Sequence, residues 1–173
     1  MTNEKLVIEI KALAKGDICA FERIYNDMKI PVYTIVYRSV YDSNIADDIT
    51  QEVFFRLYKQ IKKEGFIIKP RSWIFQVSRN LIIDHKRKSA NREILLEDIG
   101  DYSPSKTWDH GLRLDIEVAL MRLSETDRSI VTLHINAGTK FKEISEIINK
   151  PLGTVLWKYN QSLKILKKIL SEV

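Results

Sequence analysis

Apolar residues recur at steps of three and four along most of the chain, and glycine and proline are few. This spacing places apolar side chains along one side of an α-helix, whereas a β-strand would show a two-residue alternation, of which the sequence has no convincing example. The pattern therefore predicts an all-α protein. It further predicts two small helical domains joined by a linker, the second of which contains a helix-turn-helix.

The first predicted domain covers residues 1–90 and begins with a helix from Glu4 to Lys15 that Gly16 ends. Asp17 can cap a second helix, because its carboxylate can accept hydrogen bonds from the first amides. Pro31 is expected to open a third helix, since proline suits the first helical position.

The next helix is predicted to start near Asn44, with one apolar side and one polar side. The apolar side consists of Ala46, Ile49, Val53, Leu57 and Ile61. The opposite side carries Asp48, Gln51, Glu52 and Phe55.

After a loop from Lys62 to Pro70, Ser72 can cap a further helix that again has two sides. The residues expected to face inward are Ile74, Val77, Ser78, Leu81 and His85. The residues expected on the outer side are Trp73, Gln76, Asn80, Ile83 and Arg87.

Helical periodicity fades across residues 91–111, where glycine, serine and proline accompany a group of acidic residues, and this stretch is interpreted as a linker. The second predicted domain covers residues 112–173. Ser124 and Asp127 resemble a capping box at the start of a helix that Gly138 ends. The helix before it is expected to bury Ile116, Ala119, Leu120 and Leu123.

The stretch from Phe141 to Leu170 fits a helix-turn-helix, with the turn at Asn149-Lys150-Pro151. A plain helical hairpin has the same apolar pattern. The absence of any acidic residue from Lys150 to Lys168 favours DNA binding over that alternative. The apolar stripe of the longer helix is expected at Leu152, Val155, Tyr159, Leu163, Leu166 and Leu170.

The charge distribution points to an anionic partner, since the net charge is +5 and basic residues concentrate between Arg56 and Arg92, against only Glu64 and Asp84. Aromatic and amide side chains are interleaved with these cations. Cations bind phosphates and rings stack on unpaired bases, so the stretch predicts nucleic-acid binding. The interleaved residues are Phe66, Trp73, Phe75, Gln76 and Asn80. For Trp73, packing against the core is an equally good interpretation.

The single cysteine, Cys19, excludes an internal disulfide, and its apolar neighbours suggest a buried, inert thiol. The chain shows no secretory start and no apolar run long enough to cross a bilayer. We therefore expect a cytoplasmic protein with no direct membrane insertion.

Three segments of the first domain resemble region two of bacterial sigma factors of the extracytoplasmic-function group, in the sigma-70 family: Ile45 to Phe54, Pro70 to Phe75 and Arg79 to Asp84. The segment from Ala119 to Leu170 resembles region four of the same family. The two matches stand in the right order and together cover nearly the whole chain.

The resemblance implies a sigma factor that binds core RNA polymerase, recognises the promoter minus-thirty-five and minus-ten elements and promotes DNA opening for transcription initiation. It also implies that the polymerase supplies the metal and the bond-making, so that this protein is not an enzyme and has no cofactor. The implied partners are core RNA polymerase, promoter DNA and an anti-sigma factor.

The resemblance and the residue pattern together assign three sets of site residues. The polymerase-docking residues are Asp48, Gln51, Glu52 and Phe55. The minus-ten residues are Phe66, Lys69, Arg71, Trp73, Gln76, Arg79, Asn80 and Arg87. The minus-thirty-five residues are Thr154, Trp157, Lys158, Gln161 and Lys164.

The chain departs from the family in region four. Many relatives have basic and serine residues after Gly-Thr-Val, where this chain has the run from Leu156 to Asn160. Lys140 also stands where a serine usually caps the helix, and lysine cannot accept the capping bond. The base preferences of relatives therefore do not carry over.

Two other classes of function compete with this interpretation. A stand-alone helix-turn-helix regulator would account for the second domain but not for the basic, aromatic stretch or the face that includes Asp48 and Glu52. A metal-dependent nuclease is the weaker alternative, because those two carboxylates lack a second convergent cluster and the histidines are isolated.

Overall fold

The structure, a computed structural model, describes residues 1–93 and 112–171, with side chains at residues 1–90 and 115–171. Helices account for most of these residues, which confirms the all-α prediction. They form two compact units, one on each side of the undescribed stretch. The predicted linker, residues 91–111, lies outside the described residues except for 91–93, which continue the last helix of the first unit.

The helices follow one another with short turns inside each unit. The first unit contains α1 (Asn3–Ala14), α2 (Ile18–Val40), α3 (Ser43–Glu64) and α4 (Pro70–Glu93). The second unit contains α5 (Leu112–Met121), α6 (Glu125–Ile135), α7 (Phe141–Ile148) and α8 (Leu152–Ser171). None of the helices in the described parts is both long and apolar enough to cross a membrane.

The first unit has a continuous apolar core, because all four helices direct an apolar side toward the same interior. The long α2 packs against each of the other three helices. Full burial of a large apolar side chain contributes about 1.5–3 kcal/mol, so a core of this extent holds the helices in fixed relative positions. Its fully buried side chains include Leu6, Ile10, Leu13, Ile24, Met28, Leu57, Ile61, Ile74 and Phe75.

A charge cluster joins α1 to the start of α2. The Arg23 guanidinium donates to Glu9, with 2.9 Å between Nε and Oε2, and to Asp17, with 2.8 Å between Nη2 and Oδ2. Glu9 is buried, and Arg23 supplies the charge compensation that a buried carboxylate needs. The hydrogen bond from Arg23 also lowers the pKa of the Asp17 carboxyl.

Pro31 does not open a helix, contrary to the prediction, but lies inside the single helix α2. A proline within a helix removes one backbone hydrogen bond, which normally breaks or kinks the helix. Met28 and Val32 are fully buried on either side of Pro31, so packing against the neighbouring helices offsets the missing bond.

Two predicted helix starts are wrong by two to three residues. Asp42, rather than Asn44, caps α3, because its Oδ1 accepts a hydrogen bond from the Ile45 amide at 3.0 Å. The helix α4 starts at Pro70, so Ser72 lies within its first turn and is buried.

Cys19 is exposed, so the expectation of a buried thiol is wrong. It lies in the first turn of α2, and the buried side of that turn is taken by Ala20 and, one turn later, by Ile24. Apolar neighbours in sequence therefore lie on other sides of the helix.

The second unit has a smaller core that α8 closes against the other three helices. The predicted capping box is present, since the Asp127 amide donates to Ser124 Oγ at 3.2 Å. Arg128 binds the end of α5, where its guanidinium donates to the carbonyl oxygen of Leu120 at 2.9 Å and of Leu123 at 3.1 Å. These bonds join α6 to the end of α5 and to the turn that follows it.

Three rings hold α6, α7 and α8 together. His134 stacks on Phe141 with 4.1 Å between ring centroids, and Tyr159 meets both rings edge-on at 5.0 and 4.9 Å.

The residues predicted to face inward need correction on α5 and on α8. Ile116 is exposed, and Ser162 faces the core of α8 in place of Leu163. Leu152 and Leu170 are exposed as well.

Candidate nucleic-acid interface

The outward side of α3 carries the residues that the sequence assigns to polymerase docking. Asp48 and Gln51 are exposed and Glu52 is half-buried, while Phe55 is 51% exposed. This side stays outward because the apolar residues of α3, which include Val53 and Leu57 among others, occupy the opposite side.

Two of these side chains contact basic neighbours on the same helix. Glu52 pairs with Arg56, with 2.7 Å between Oε1 and Nε, and the Lys59 ammonium lies 4.1 Å from the centre of the Phe55 ring. Exposed pairs one turn apart contribute only about 0.3–0.5 kcal/mol, so a partner can displace them at little cost.

Burial and the nearby negative charge of Asp47 raise the pKa of Tyr33 on α2. Tyr33 stacks on Tyr37 with 6.0 Å between centroids. The Tyr33 ring therefore lies near Asp47, in the first turns of α3.

The inward side of α4 differs from the prediction, whereas the predicted outer residues are all exposed or half-buried. Phe75 is only 1% exposed and belongs to the core, so it cannot stack on a base. The inward residues are Ile74, Phe75, Ser78 and Ile82, in place of the predicted set with Val77, Leu81 and His85.

The remaining minus-ten candidates differ in how exposed their side chains are. Arg79 and Asn80 are exposed, Trp73 and Gln76 are half-buried, and Phe66 is exposed in the loop before α4 together with Lys69. The sequence left two interpretations for Trp73, packing or base contact, and its partial exposure is compatible with both.

Two arginines from the minus-ten set already have partners inside the protein. Arg71 donates a hydrogen bond to the Met1 carbonyl oxygen and its guanidinium lies over the Phe75 ring, 5.8 Å from the centre. Arg87 pairs with Asp84 at 3.1 Å between Nη2 and Oδ1. The Arg71 contacts are partly buried and hold structure, whereas the Arg87 pair is exposed.

The recognition helix of the predicted helix-turn-helix is α8. The turn before it uses Asn149 in the left-handed conformation, with φ of 53°, which asparagine tolerates better than most residues. Lys140 occupies the cap position of α7 and makes no side-chain capping bond, as its chemistry dictates. Early in α8, Thr154 and Gln161 are half-buried, whereas Trp157 and Lys164 are exposed.

Lys158 is fixed by an ion pair across two helices of the second unit. Its ammonium lies 2.8 Å from Asp127 Oδ1, and the two side chains are only 24% and 21% exposed. Asp127 is itself held by Ser124, whose hydroxyl donates to Oδ2 at 2.6 Å. The sequence predicts the Ser124 contact but gives no sign of the pairing with Lys158, because Asp127 lies on α6 and a full helix separates the two.

A second residue that the sequence analysis missed is Ile68. It is 83% exposed, the most exposed of the large apolar side chains that the structure describes. It stands between Phe66 and Lys69 in the loop before α4. Phe66 of this loop is assigned to the minus-ten contacts from the sequence, whereas Ile68 has no assignment there.

The chain is similar to known proteins over nearly its whole length. Residues 24–92 match the family described as Sigma-70 region 2. Over 179 aligned residues the chain is 27% identical to the ECF RNA polymerase sigma factor SigW of Bacillus subtilis, with 95% of this chain and 96% of the relative covered. The sigma factor SigM of the same organism is 29% identical over 153 residues, covering 84% and 93%.

The chain belongs to the sigma-70 family. Within it, the sigma factor falls in the extracytoplasmic-function group, and its function is in transcription initiation. The matches include the first unit, so they go beyond what a stand-alone helix-turn-helix regulator would share. Among the described residues of this sigma factor, no group of three or more His, Cys, Asp or Glu side chains is arranged to hold a metal ion.

Two solved structures share the fold of this sigma factor. The sigma factor RpoE of Bartonella quintana, solved with the anti-sigma factor NepR, superposes with a TM-score of 0.68 at 17% identity, covering 87% of this chain and 96% of that one. CnrH, solved with the cytosolic domain of CnrY, gives 0.69 at 16% identity, covering 97% and 98%.

Proposed function

We propose that this sigma factor docks on core RNA polymerase through the outward side of α3, opens the minus-ten element with α4 and its preceding loop, and binds the minus-thirty-five duplex with α8. One observation carries the proposal. A single packed four-helix unit presents an acidic and aromatic side on α3 and a basic and aromatic side on α4. A protein partner and a nucleic acid can therefore bind the same rigid unit at once.

The α3 side has the composition of a protein interface. Phe55 provides an exposed ring that a pocket can enclose, and Asp48 and Gln51 provide a polar rim around it. Full enclosure of the ring removes water from both partners. This contact is therefore expected to dominate docking, with the carboxylates fixing the orientation.

The α4 side has the groups that base opening requires. Removing a base from the stack costs a few kcal/mol, and stacking it on a side chain returns about 1–3 kcal/mol. We assign the stacking to Trp73 and Phe66 and the base-edge contact to the Asn80 and Gln76 amides, with Arg79, Lys69 and Arg87 on phosphates. Arg71 is better placed to hold the helix than to contact DNA.

The α8 side has the groups suited to a closed duplex. Thr154 and Gln161 are early enough in a recognition helix to reach base edges in the major groove. Trp157 and Lys164 flank them on the exposed side, and Lys158 presents its charge from a position fixed by Asp127.

The remaining parts of the proposal follow from the family. The protein catalyses no reaction and uses no cofactor, since the polymerase makes the bonds, and it works in the cytoplasm where the polymerase is. An anti-sigma factor holds it inactive, and the complex of RpoE with the anti-sigma factor NepR supports this for a protein of the same fold.

The test is binding to core RNA polymerase and transcription from promoters that the protein selects. We expect the full chain to co-elute with core polymerase in gel filtration and to direct start sites when it is overproduced, with two shared upstream elements among the induced promoters. A protein that elutes apart from the polymerase, yet binds duplex DNA alone, would be a stand-alone regulator.

A further inference from the structure

The first turn of α4 has no capping side chain of its own. Lys69 is the cap residue, because its carbonyl accepts the first helical hydrogen bond, from the Trp73 amide at 2.9 Å. A lysine side chain has no acceptor for the amides of the first turn. Pro70 has no N–H, so Arg71 carries the first amide that needs a partner.

That partner comes from the start of α1. Asn3 Oδ1 accepts a hydrogen bond from the Arg71 amide, with 3.3 Å between the two atoms, across 68 residues of sequence. The Arg71 side chain turns back to the same region, where it donates to the Met1 carbonyl oxygen. Both contacts are partly buried, so the start of α1 and the start of α4 are joined at one residue from two directions.

The joined turn lies next to the proposed minus-ten contacts. Phe66 and Lys69 are in the loop that leads into it, and Trp73 follows Arg71 within the same turn. A helix whose first amide loses its acceptor frays from that end, because the amide exchanges a protein partner for water. Fraying here would move Trp73 and the loop and would leave Asn80, further along α4, in place.

We propose that Asn3 is a positioning residue for DNA opening: it caps α4 from a distant part of the chain and thereby fixes Trp73 and the loop before it. The inference rests on the proposed function of α4. On this proposal α1 contributes to promoter opening without contacting DNA itself.

The simpler explanation is that Asn3 only stabilises α1, whose first residue it is. The two explanations separate because α1 has its own cap, in which Thr2 Oγ1 accepts from the Lys5 amide at 3.3 Å. Thr2→Ala removes that cap and leaves the bond between Asn3 and Arg71. Asn3→Asp keeps an acceptor for Arg71, whereas Asn3→Ala removes it and preserves helix propensity.

The experiment compares these three variants of the full chain, with any affinity tag at the carboxyl end, bound to core polymerase. Permanganate reactivity reports open complexes on a duplex promoter and on the same promoter with a pre-melted bubble. We expect Asn3→Ala to reduce opening on the duplex about three- to tenfold, within the range that loss of a cap produces, and a bubble to restore most of it. Asn3→Asp should form as many open complexes as the original chain. Thr2→Ala should leave unchanged the ratio of open complexes on the duplex to those on the pre-melted template.

A second measurement reads the bond directly. In the free protein, the Arg71 amide should exchange with solvent faster in Asn3→Ala than in Thr2→Ala, with Asn3→Asp protected. The inference would be overturned if Asn3→Ala and Thr2→Ala gave the same ratio of open complexes on duplex and pre-melted promoter. It would also be overturned if the Arg71 amide exchanged at an unchanged rate in Asn3→Ala. Trp73→Ala serves as the reference: if it too lacks a bubble-dependent defect, the proposed role of α4 fails, whereas a defect in Trp73→Ala alone rejects only the role of Asn3.

Discussion

The helices α4 and α8 both carry basic residues into a proposed DNA interface, but they present them differently. On α4, Arg79 and Asn80 are exposed above a core that buries Ile74 and Phe75 completely or nearly so. On α8, Lys158 is held by Asp127, and exposed apolar residues such as Leu156 and Trp157 stand among exposed lysines such as Lys164.

The number of basic residues in a helix therefore does not tell how many of them are available to bind DNA, because some are already paired inside the protein. A polar side chain on a rigid helix can meet an unpaired base without first breaking an internal contact, as Asn80 can. A cation inside an ion pair contributes mainly to the position of the helix that carries it. We therefore expect Asn80 on α4 to contact bases directly and Lys158 to contribute mainly to the position of α8.

The proposed difference between α4 and α8 would be rejected most clearly if α4 did not act on unpaired bases. Trp73→Ala with Asn80→Ala should reduce open complexes on duplex promoter about tenfold or more, since each stacked base is worth about 1–3 kcal/mol. A pre-melted template should restore part of the loss. Gln161→Ala on α8 is the matched control, because its lost contact lies in closed duplex and a bubble should help it less. Equal rescue of both variants, measured by permanganate footprinting, would reject the distinction.

The comparison is sharpened if docking on polymerase is separable from DNA contact within the first unit. Phe55→Ala with Gln51→Ala should weaken binding to core polymerase about thirtyfold, because an enclosed aromatic anchor typically accounts for about 2 kcal/mol. A pull-down titration measures the change. Ile30→Ala, at another exposed apolar position of this unit, is the control, and circular dichroism checks the fold. Unchanged affinity in the double variant would remove α3 from the interface.

The role of Lys158 tests the α8 half of the comparison with a smaller effect. Asp127→Asn should raise affinity for duplex DNA about threefold, because it releases a cation, and exposed or half-exposed pairs are worth about 0.2–1 kcal/mol. Lys158→Ala should lower affinity by a similar factor without changing base preference. Binding titrations on matched and scrambled promoter duplexes distinguish the cases. A changed base preference in Lys158→Ala would mean that this lysine reads bases directly.

The smallest expected effect concerns the charge cluster that holds α1 on α2. Arg23 lowers the pKa of Asp17 from its ordinary 3.8, so the ionised form is favoured in the folded protein. The stabilisation is therefore present above pH 3.8 and is lost as the pH falls through the lowered pKa. Asp17→Asn should lower the thermal midpoint slightly at pH 7, and the gap should close in acid. Glu22→Gln, which removes an exposed carboxylate on α2, is the control for the loss of one negative charge.

The sequence predicts features that depend on local spacing. The helical period places Val53 and Leu57 inside, and the capping box at Ser124 and Asp127 forms as expected. The motif resemblance predicts the family, which the comparisons confirm. The assignment of individual residues to polymerase or DNA stays a prediction.

Features that depend on contacts between distant parts of the chain could not be predicted from the sequence. The period alone could not fix the rotation of α4, because Phe75 and Trp73 are both large aromatics and the neighbouring helices decide which is buried. Pro31 lies inside α2 because packing outweighs its local preference. The pairings of Asp127 with Lys158 and of Asn3 with Arg71 join residues on different helices, and no local pattern marks them.

The bond between Asp127 and Lys158 also bears on how the protein responds to salt. DNA binding draws much of its free energy from small ions that are released when protein cations replace them at phosphates, and affinity falls with salt in proportion to the phosphates neutralised. Lys158 has a carboxylate within the protein as its counterion. Unless that pair opens, its approach to DNA releases no ion from the backbone. The affinity of the second unit for duplex DNA should therefore decline less steeply with rising salt than its lysine content suggests, and Asp127→Asn should make the decline steeper.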